Sequence, residues 1–74
     1  MSWVVRVQDD EGYYIFVERR FNTYEEAQDF INKAVKMMKG KGFIVEKEDE
    51  QYVLLSRENP LIRINIYAFE IVEV

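Results

Sequence analysis

The sequence predicts an α+β domain in which one helix packs on one face of a single, mainly antiparallel sheet, with the element order ββαβββ. Three observations lead to this fold class. Apolar and polar residues alternate on both sides of a turn at 9–12, apolar residues recur at helical spacing through 24–39, and three more alternating segments follow. No linker, repeat or low-complexity segment interrupts residues 1–74, so we expect a single domain.

The composition restricts the chemistry that the chain could perform. Its 74 residues include neither cysteine nor histidine, which removes disulfides, thiolate chemistry and the usual zinc ligands. The acidic segments 9–11 and 46–50 lack the ligand spacing of a calcium loop and the apolar pocket that raises a catalytic carboxyl group's pKa. We therefore expect a protein that is not an enzyme and that has no cofactor and no metal site.

Charge and hydropathy bear on location and partners. The formal charge is −4, from 10 basic and 14 acidic residues, which disfavours binding to nucleic acid through overall charge. Arg6 interrupts the first apolar residues too early for a signal peptide, and no apolar run approaches the ~20 residues of a membrane span. These features predict a cytoplasmic protein.

The first two strands are predicted to form a hairpin around the turn Asp9–Gly12. A type I turn with glycine in the left-handed position would set Val7 opposite Ile15 on one face. On the other face the same register sets Arg6 opposite Phe16, a plausible stacked pair.

A helix is predicted from about Tyr24 to Lys39. Thr23 is placed to cap it, and Glu26 completes a reciprocal capping box. Gly40 is expected to end the helix in the left-handed conformation. The predicted apolar stripe consists of Ala27, Phe30, Ile31, Ala34, Val35 and Met38.

Three strands are predicted after the helix, at 43–48, 51–57 and 61–74. A short turn at Glu58-Asn59 would then pair Leu55 with Ile62 and Val53 with Ile64, on the side facing the helix.

The last strand contains the segment INIYAFEIVEV (64–74), which is apolar on both sides. Three explanations are open. A bulge near Ile66 could turn the odd-numbered residues from Tyr67 to Ile71 towards the helix and place Glu70 in solvent. Unbroken alternation would instead leave an apolar back face that a second protein surface covers. In the third explanation, the strand outruns the core and pairs with another chain's edge.

The face of the sheet away from the helix is therefore the candidate protein interface. Burying four or five of its apolar side chains would stabilise association by roughly 6–15 kcal/mol per copy, against an association cost of about 4–15 kcal/mol. Two facing copies would suffice, so a symmetric homodimer is the preferred hypothesis, ahead of a different protein partner. The candidate interface residues are Tyr14, Phe16, Tyr52, Leu54, Tyr67, Phe69 and Ile71.

Basic residues define an alternative. Lys36, Lys39 and Lys41 could form a phosphate-binding patch with Arg19 and Arg20, although the C-terminal end of a helix dipole disfavours anions. The alternative function is nucleic-acid binding through Arg6, Arg19, Arg20, Lys39 and Lys41.

The segment from Trp3 to Met38 supports this alternative by similarity. A hairpin of the form WVVRV and YYIFVERR, followed by FNTYEEAQDFI, resembles the arm-type sheet-plus-helix DNA-binding domain of phage tyrosine integrases. This chain has two strands before the helix where that family has three, and it adds three strands after the helix. The resemblance implies that the sheet would read the major groove through Arg6, Gln8, Tyr14, Phe16, Glu18 and Arg20.

Taken together, these patterns favour a small, non-catalytic, intracellular binding module. It is expected to form a homodimer and to act through protein contacts as an accessory regulator or inhibitor of bacterial or phage type.

Overall fold

The computed structural model of the protein describes residues 2–9, 15–58 and 66–74, and at positions 15 and 16 it describes the backbone only. Within these residues it contains one helix and one five-stranded antiparallel sheet, which confirms the α+β class and the order ββαβββ. The elements are β1 (Trp3–Gln8), β2 (Ile15–Phe21), α1 (Tyr24–Gly40), β3 (Ile44–Glu48), β4 (Tyr52–Ser56) and β5 (Ile66–Glu73).

The last strand lies in the middle of the sheet. The strand order is β2-β1-β5-β4-β3, so β5 pairs with β1 on one side and β4 on the other. Beyond these strands, the backbone N–H groups of Ser2 and Val74 each donate to the other residue's carbonyl, at 3.0 and 2.9 Å. The edge strands of the described sheet are β2 and β3, and the last residues of β5 have a partner within the chain on the β1 side; that these residues also pair with another chain's edge stays a prediction.

The aromatic side of β5 points inward. Phe69 and Ile71 are only 3% and 4% exposed and belong to the core beneath the helix, and Tyr67 packs against that core. This orientation agrees with the first explanation, although the described part of the strand has no bulge at Ile66 or Tyr67, where the pairing with β4 is regular from Ile66 to Glu70. The prediction that these three side chains belong to an interface on the opposite face is therefore wrong.

The inward orientation follows from the register between β4 and β5. Leu55 lies opposite Tyr67 and Val53 opposite Phe69, so the predicted partners of Leu55 and Val53 are wrong by five residues along the chain. Residues 59–65, which include both predicted partners and part of the predicted turn, lie outside the described residues.

The register of the first hairpin also differs from the prediction. Val7 lies opposite Val17, and Arg6 lies opposite Glu18 rather than Phe16. An irregularity between Val7 and Gln8 shifts the pairing there, which the simple turn did not predict. Most of the predicted turn, at 10–12, lies outside the described residues.

The structure confirms the predicted start of the helix and corrects its predicted end. The N–H of Glu26 donates to the Thr23 hydroxyl oxygen at 3.1 Å, and that hydroxyl donates to the Glu26 carboxylate at 3.1 Å. At the other end Gly40 is still helical, and the left-handed residue is Gly42, with φ 96°. The N–H groups of Gly42 and Phe43 donate to the carbonyls of Lys39 and Met38, both at 3.1 Å, so the helix ends in a Schellman motif with Gly42 as its left-handed residue.

The core lies between α1 and one face of the sheet. Leu55 and Val5 are completely buried in it, and the predicted helix stripe contributes Ala27 and Ile31 as buried residues. Three aromatic pairs stand around this core, with ring centres 5.1 to 5.6 Å apart: Trp3–Tyr24, Phe21–Phe30 and Phe43–Tyr67.

The two glycines near the helix end should respond to alanine in opposite directions. Gly40→Ala should raise the free energy of unfolding by about 0.4–1 kcal/mol, because a Cβ there meets nothing within 4 Å and glycine costs entropy in a helix. Gly42→Ala should lower it by about 1–2 kcal/mol, because its positive φ is strained for an L-residue. Urea unfolding followed by circular dichroism measures both free energies of unfolding. If Gly40→Ala were the more destabilising change, the residue in the left-handed conformation would be Gly40 and not Gly42.

Candidate functional site

The face of the sheet that points away from α1 is the candidate site, and we call it the open face. It carries the residues that alternate with the core residues along each strand. No helix or strand among the described residues lies over it. Its described members are Val4, Arg6, Gln8, Glu18, Arg20, Ile44, Lys47, Tyr52, Leu54, Ser56, Ile66, Ala68, Glu70 and Val72.

A row of polar residues crosses the middle of the open face. Glu18, Arg6, Glu70 and Tyr52 lie directly opposite one another on the adjacent strands β2, β1, β5 and β4. Because neighbouring strands are only about 4.8 Å apart, the Arg6 guanidinium lies between two carboxylate-bearing residues. The row therefore has the charge order negative, positive, negative, followed by a phenol.

The contacts within the polar row are loose. The Arg6 Nε atom lies 3.6 Å from the Glu18 Oε1 atom, and the two side chains are 35% and 49% exposed. That Nε atom is itself buried and has no hydrogen-bond partner within the described part of the chain. Glu70 is half-buried and accepts a hydrogen bond from the Gln8 side-chain amide at 3.1 Å. The arginine thus has hydrogen-bonding capacity that its neighbours in the row leave unused.

Apolar residues lie on both sides of the polar row. On one side Val4 faces Val72, and on the other Ala68 faces Leu54. Val4 and Ala68 are only 3% and 1% exposed although neither belongs to the core cluster. The open face therefore has apolar pairs on both sides of the charged row, flanked by Arg20 on one side and by Gln8 and Lys47 on the other, rather than the continuous aromatic surface that the sequence suggested.

Only part of the predicted interface lies on the open face. Tyr52 and Leu54 are there, and both are half-buried. Tyr14 and the side chain of Phe16 lie outside what the structure describes.

The five basic residues of the alternative hypothesis do not share one surface. Arg6 and Arg20 lie on the open face, whereas Arg19 lies on the helix side, with its guanidinium carbon 5.5 Å from the centre of the Phe30 ring. Lys39 is exposed in the last turn of α1 and Lys41 follows it. The structure thus separates the arginines of β2 onto opposite faces.

Two features escaped the sequence analysis. The polar row depends on the registers of both hairpins, which the predicted turns misplaced. Arg57 was not singled out either, yet it stacks on Phe43 at 4.6 Å and donates to the Lys41 carbonyl at 3.0 Å, fixing the segment after the helix. The sequence alone does not reveal this contact, because an arginine and an aromatic residue are recognised as a stacked pair only when the fold brings them together.

Two features are absent from the described residues. No group of three or more acidic side chains there could hold a metal ion. In the same part of the chain, no helix has the length and apolar character needed to cross a membrane.

Comparisons of the chain with protein-family models, curated proteins and solved structures gave no match. The fold and the site together define a small α+β domain with an open sheet face that has apolar pairs on both sides of a charged row.

The ion pair in the row should contribute little to folding. A double-mutant cycle with Arg6→Met and Glu18→Gln is expected to give a coupling energy of about 0.2–1 kcal/mol, because solvent screens pairs this exposed. Urea unfolding of the four proteins measures it, and the coupling should fall as salt is added. A coupling above about 2 kcal/mol would assign the row to fold stability and remove it as a candidate for binding.

Proposed function

We propose that this protein is a non-catalytic protein-interaction module that forms a homodimer through its open face. In this role it serves as an accessory regulator or inhibitor of another protein. The observation that carries the proposal is the charge order of the polar row, which is complementary to itself when a second copy is turned over onto it. The absence of cysteine fits an intracellular setting.

The self-complementarity follows from one symmetry operation. The two-fold axis lies in the plane between the two open faces, above the gap between β1 and β5, and runs parallel to the strands. It places β1 of one copy over β5 of the other. Arg6 of each copy then faces Glu70 of the other copy, so both contacts are attractive. The partly unused guanidinium of Arg6 gains a second carboxylate in this arrangement.

The same operation matches the rest of the open face. It places β2 over β4, so that Glu18 faces the Tyr52 phenol, and it brings Val4 over Val72. Face-to-face sheets pack with their strands about 30° apart, so the match is best near the axis, where Arg6 and Glu70 lie. Near the axis, charges of opposite sign therefore face each other at Arg6 and Glu70, and apolar residues face each other at Val4 and Val72.

The dimer is expected to be weak. Val4 and Ala68 are already buried within one copy, and Leu54, Ile66 and Val72 are half-buried, so little apolar area remains to be covered. The free energy gained by burying apolar area in the dimer is therefore smaller than the sequence suggested, and it lies close to the free-energy cost of association. A concentration-dependent equilibrium suits a module that must also meet another protein.

Two charge-reversal variants should each be monomeric alone and should dimerise when mixed. Arg6→Glu sets acid against acid across the axis, and Glu70→Arg sets base against base. In an equimolar mixture, each introduced charge meets an opposite charge on the other variant, although the repulsion within each chain remains. Sedimentation velocity over a dilution series is the measurement, with one variant carrying a fluorescent label.

The matched controls are Lys33→Glu and Glu25→Arg, which make the same charge changes on exposed positions of the helix. Both should dimerise like the parent protein, and thermal melting should confirm that all four variants fold. A parent protein that stays monomeric at high concentration, or a mixture no more dimeric than its components, would refute the homodimer. The open face would then be left for a different protein.

A further inference from the structure

A second candidate surface is a groove on the other side of the sheet, between α1 and the β3–β4 hairpin. The helix packs mainly over β1, β2 and β5, so the side of the β3–β4 pair that faces the helix is only partly covered. Two adjoining clefts lie there, of about 80 and 250 Å³, and both are bordered by Asn32, Glu48 and Val53. Each is smaller than the roughly 300–1,000 Å³ of small-molecule sites, a size that suits single side chains of a peptide.

The groove has an apolar floor. Ile31 of the helix, Val53 of β4 and Ile71 of β5 line the first cleft, and they are 4%, 7% and 4% exposed. Val35 continues this lining into the second cleft. These side chains offer a narrow apolar strip at the bottom of a groove whose exposed walls are mainly polar.

The two ends of the groove carry opposite charges. Glu48, Asp49 and Glu50 border the end near the hairpin tip, and Lys36 and Lys39 border the other end. The carboxylates of Glu48 and Glu50 and both lysine ammonium groups make no hydrogen bond or ion pair among the described residues. These charges are thus free to meet a ligand.

The acidic end is held in position by contacts with the helix. The Tyr24 hydroxyl donates to the Glu50 carbonyl oxygen, and the Gln28 side-chain amide donates to the Tyr24 oxygen at 3.1 Å. The Asp49 carboxylate accepts the Gln51 N–H at 2.8 Å and so fixes the tip of the hairpin. The backbone of the hairpin tip is consequently held beside the helix before a ligand binds, and the acidic side chains project from a fixed position.

We propose that the groove binds an extended segment of a protein partner that has a lysine or arginine at one end and a carboxylate at the other. The basic side chain would lay its stem on Ile31 and Val53 and direct its charge to the hairpin tip. From residue 28 to residue 39 the helix rises about 16 Å, which corresponds to about five residues of extended chain. The partner's carboxylate would then reach Lys36 and Lys39.

The outer edge of β3 is a less suitable site for the same segment. β3 carries a register shift between Val45 and Lys47 and exposed charges from Glu46 to Glu48, both of which discourage strand addition. The groove and the open face lie on opposite sides of the sheet, so peptide binding does not depend on the homodimer.

Four capped hexapeptides test the proposal by NMR titration of the ¹⁵N-labelled protein. They are Lys-Val-Thr-Val-Thr-Glu, its reversed sequence, and the like-charged versions with lysine or glutamate at both ends. One of the two mixed peptides should bind about three- to tenfold more tightly than either like-charged peptide, since two exposed ion pairs contribute that much. The shifted amides should lie in 28–39 and 48–53.

A charge-reversed protein provides the second arm. In the double variant Glu48→Lys, Glu50→Lys both ends of the groove are basic, so the preference should move to the peptide with glutamate at both ends. The control Glu46→Lys, Glu73→Lys has the same net charge and should keep the preference of the parent protein. No shifts at millimolar peptide, equal shifts with all four peptides, or shifts confined to the open face would each overturn the proposal.

Discussion

The fold depends on the position of β5 between β1 and β4. The first hairpin and the second pair of strands share no other strand, so the pairing of β5 with both is what makes one sheet from two halves. The helix packs mainly on the β2-β1-β5 side, and this explains both the buried core beneath it and the groove beside it. The core, the open face and the groove are therefore three consequences of where one strand is placed.

β5 also explains how a single strand can be apolar on both sides. Phe69 and Ile71 fill the core, whereas Ala68 and Val72 lie in the apolar pairs of the open face, with Glu70 between them in the polar row. Both sides of the strand are shielded from water, because Phe69 and Ile71 are 3% and 4% exposed in the core, and on the open face Ala68 is 1% exposed and Val72 is half-buried. The carboxylate of Glu70 is tolerated because Gln8 donates to it and Arg6 lies opposite.

Local patterns predicted the elements well, and long-range register was predicted poorly. The helix, its Thr23 cap and its buried stripe were predicted because capping and periodicity are written into neighbouring residues. The pairing of Val7 and of Leu55 was not, because register depends on how many residues a connection contains, and an irregularity or a longer loop moves every later pair. The site inherited this error, since Glu18, Arg6 and Glu70 form a row only in the correct register.

The pairing of β1 with β5 sets a condition on how the chain can fold. Trp3 lies opposite Glu73, so the first strand finds its partner only when nearly the whole chain is present. During synthesis the hairpin of β1 and β2 can form with the helix, but one edge of β1 must wait until β5 has left the ribosome. Until then an apolar strand edge is exposed, and a chaperone bound to it would protect it from pairing with a neighbour.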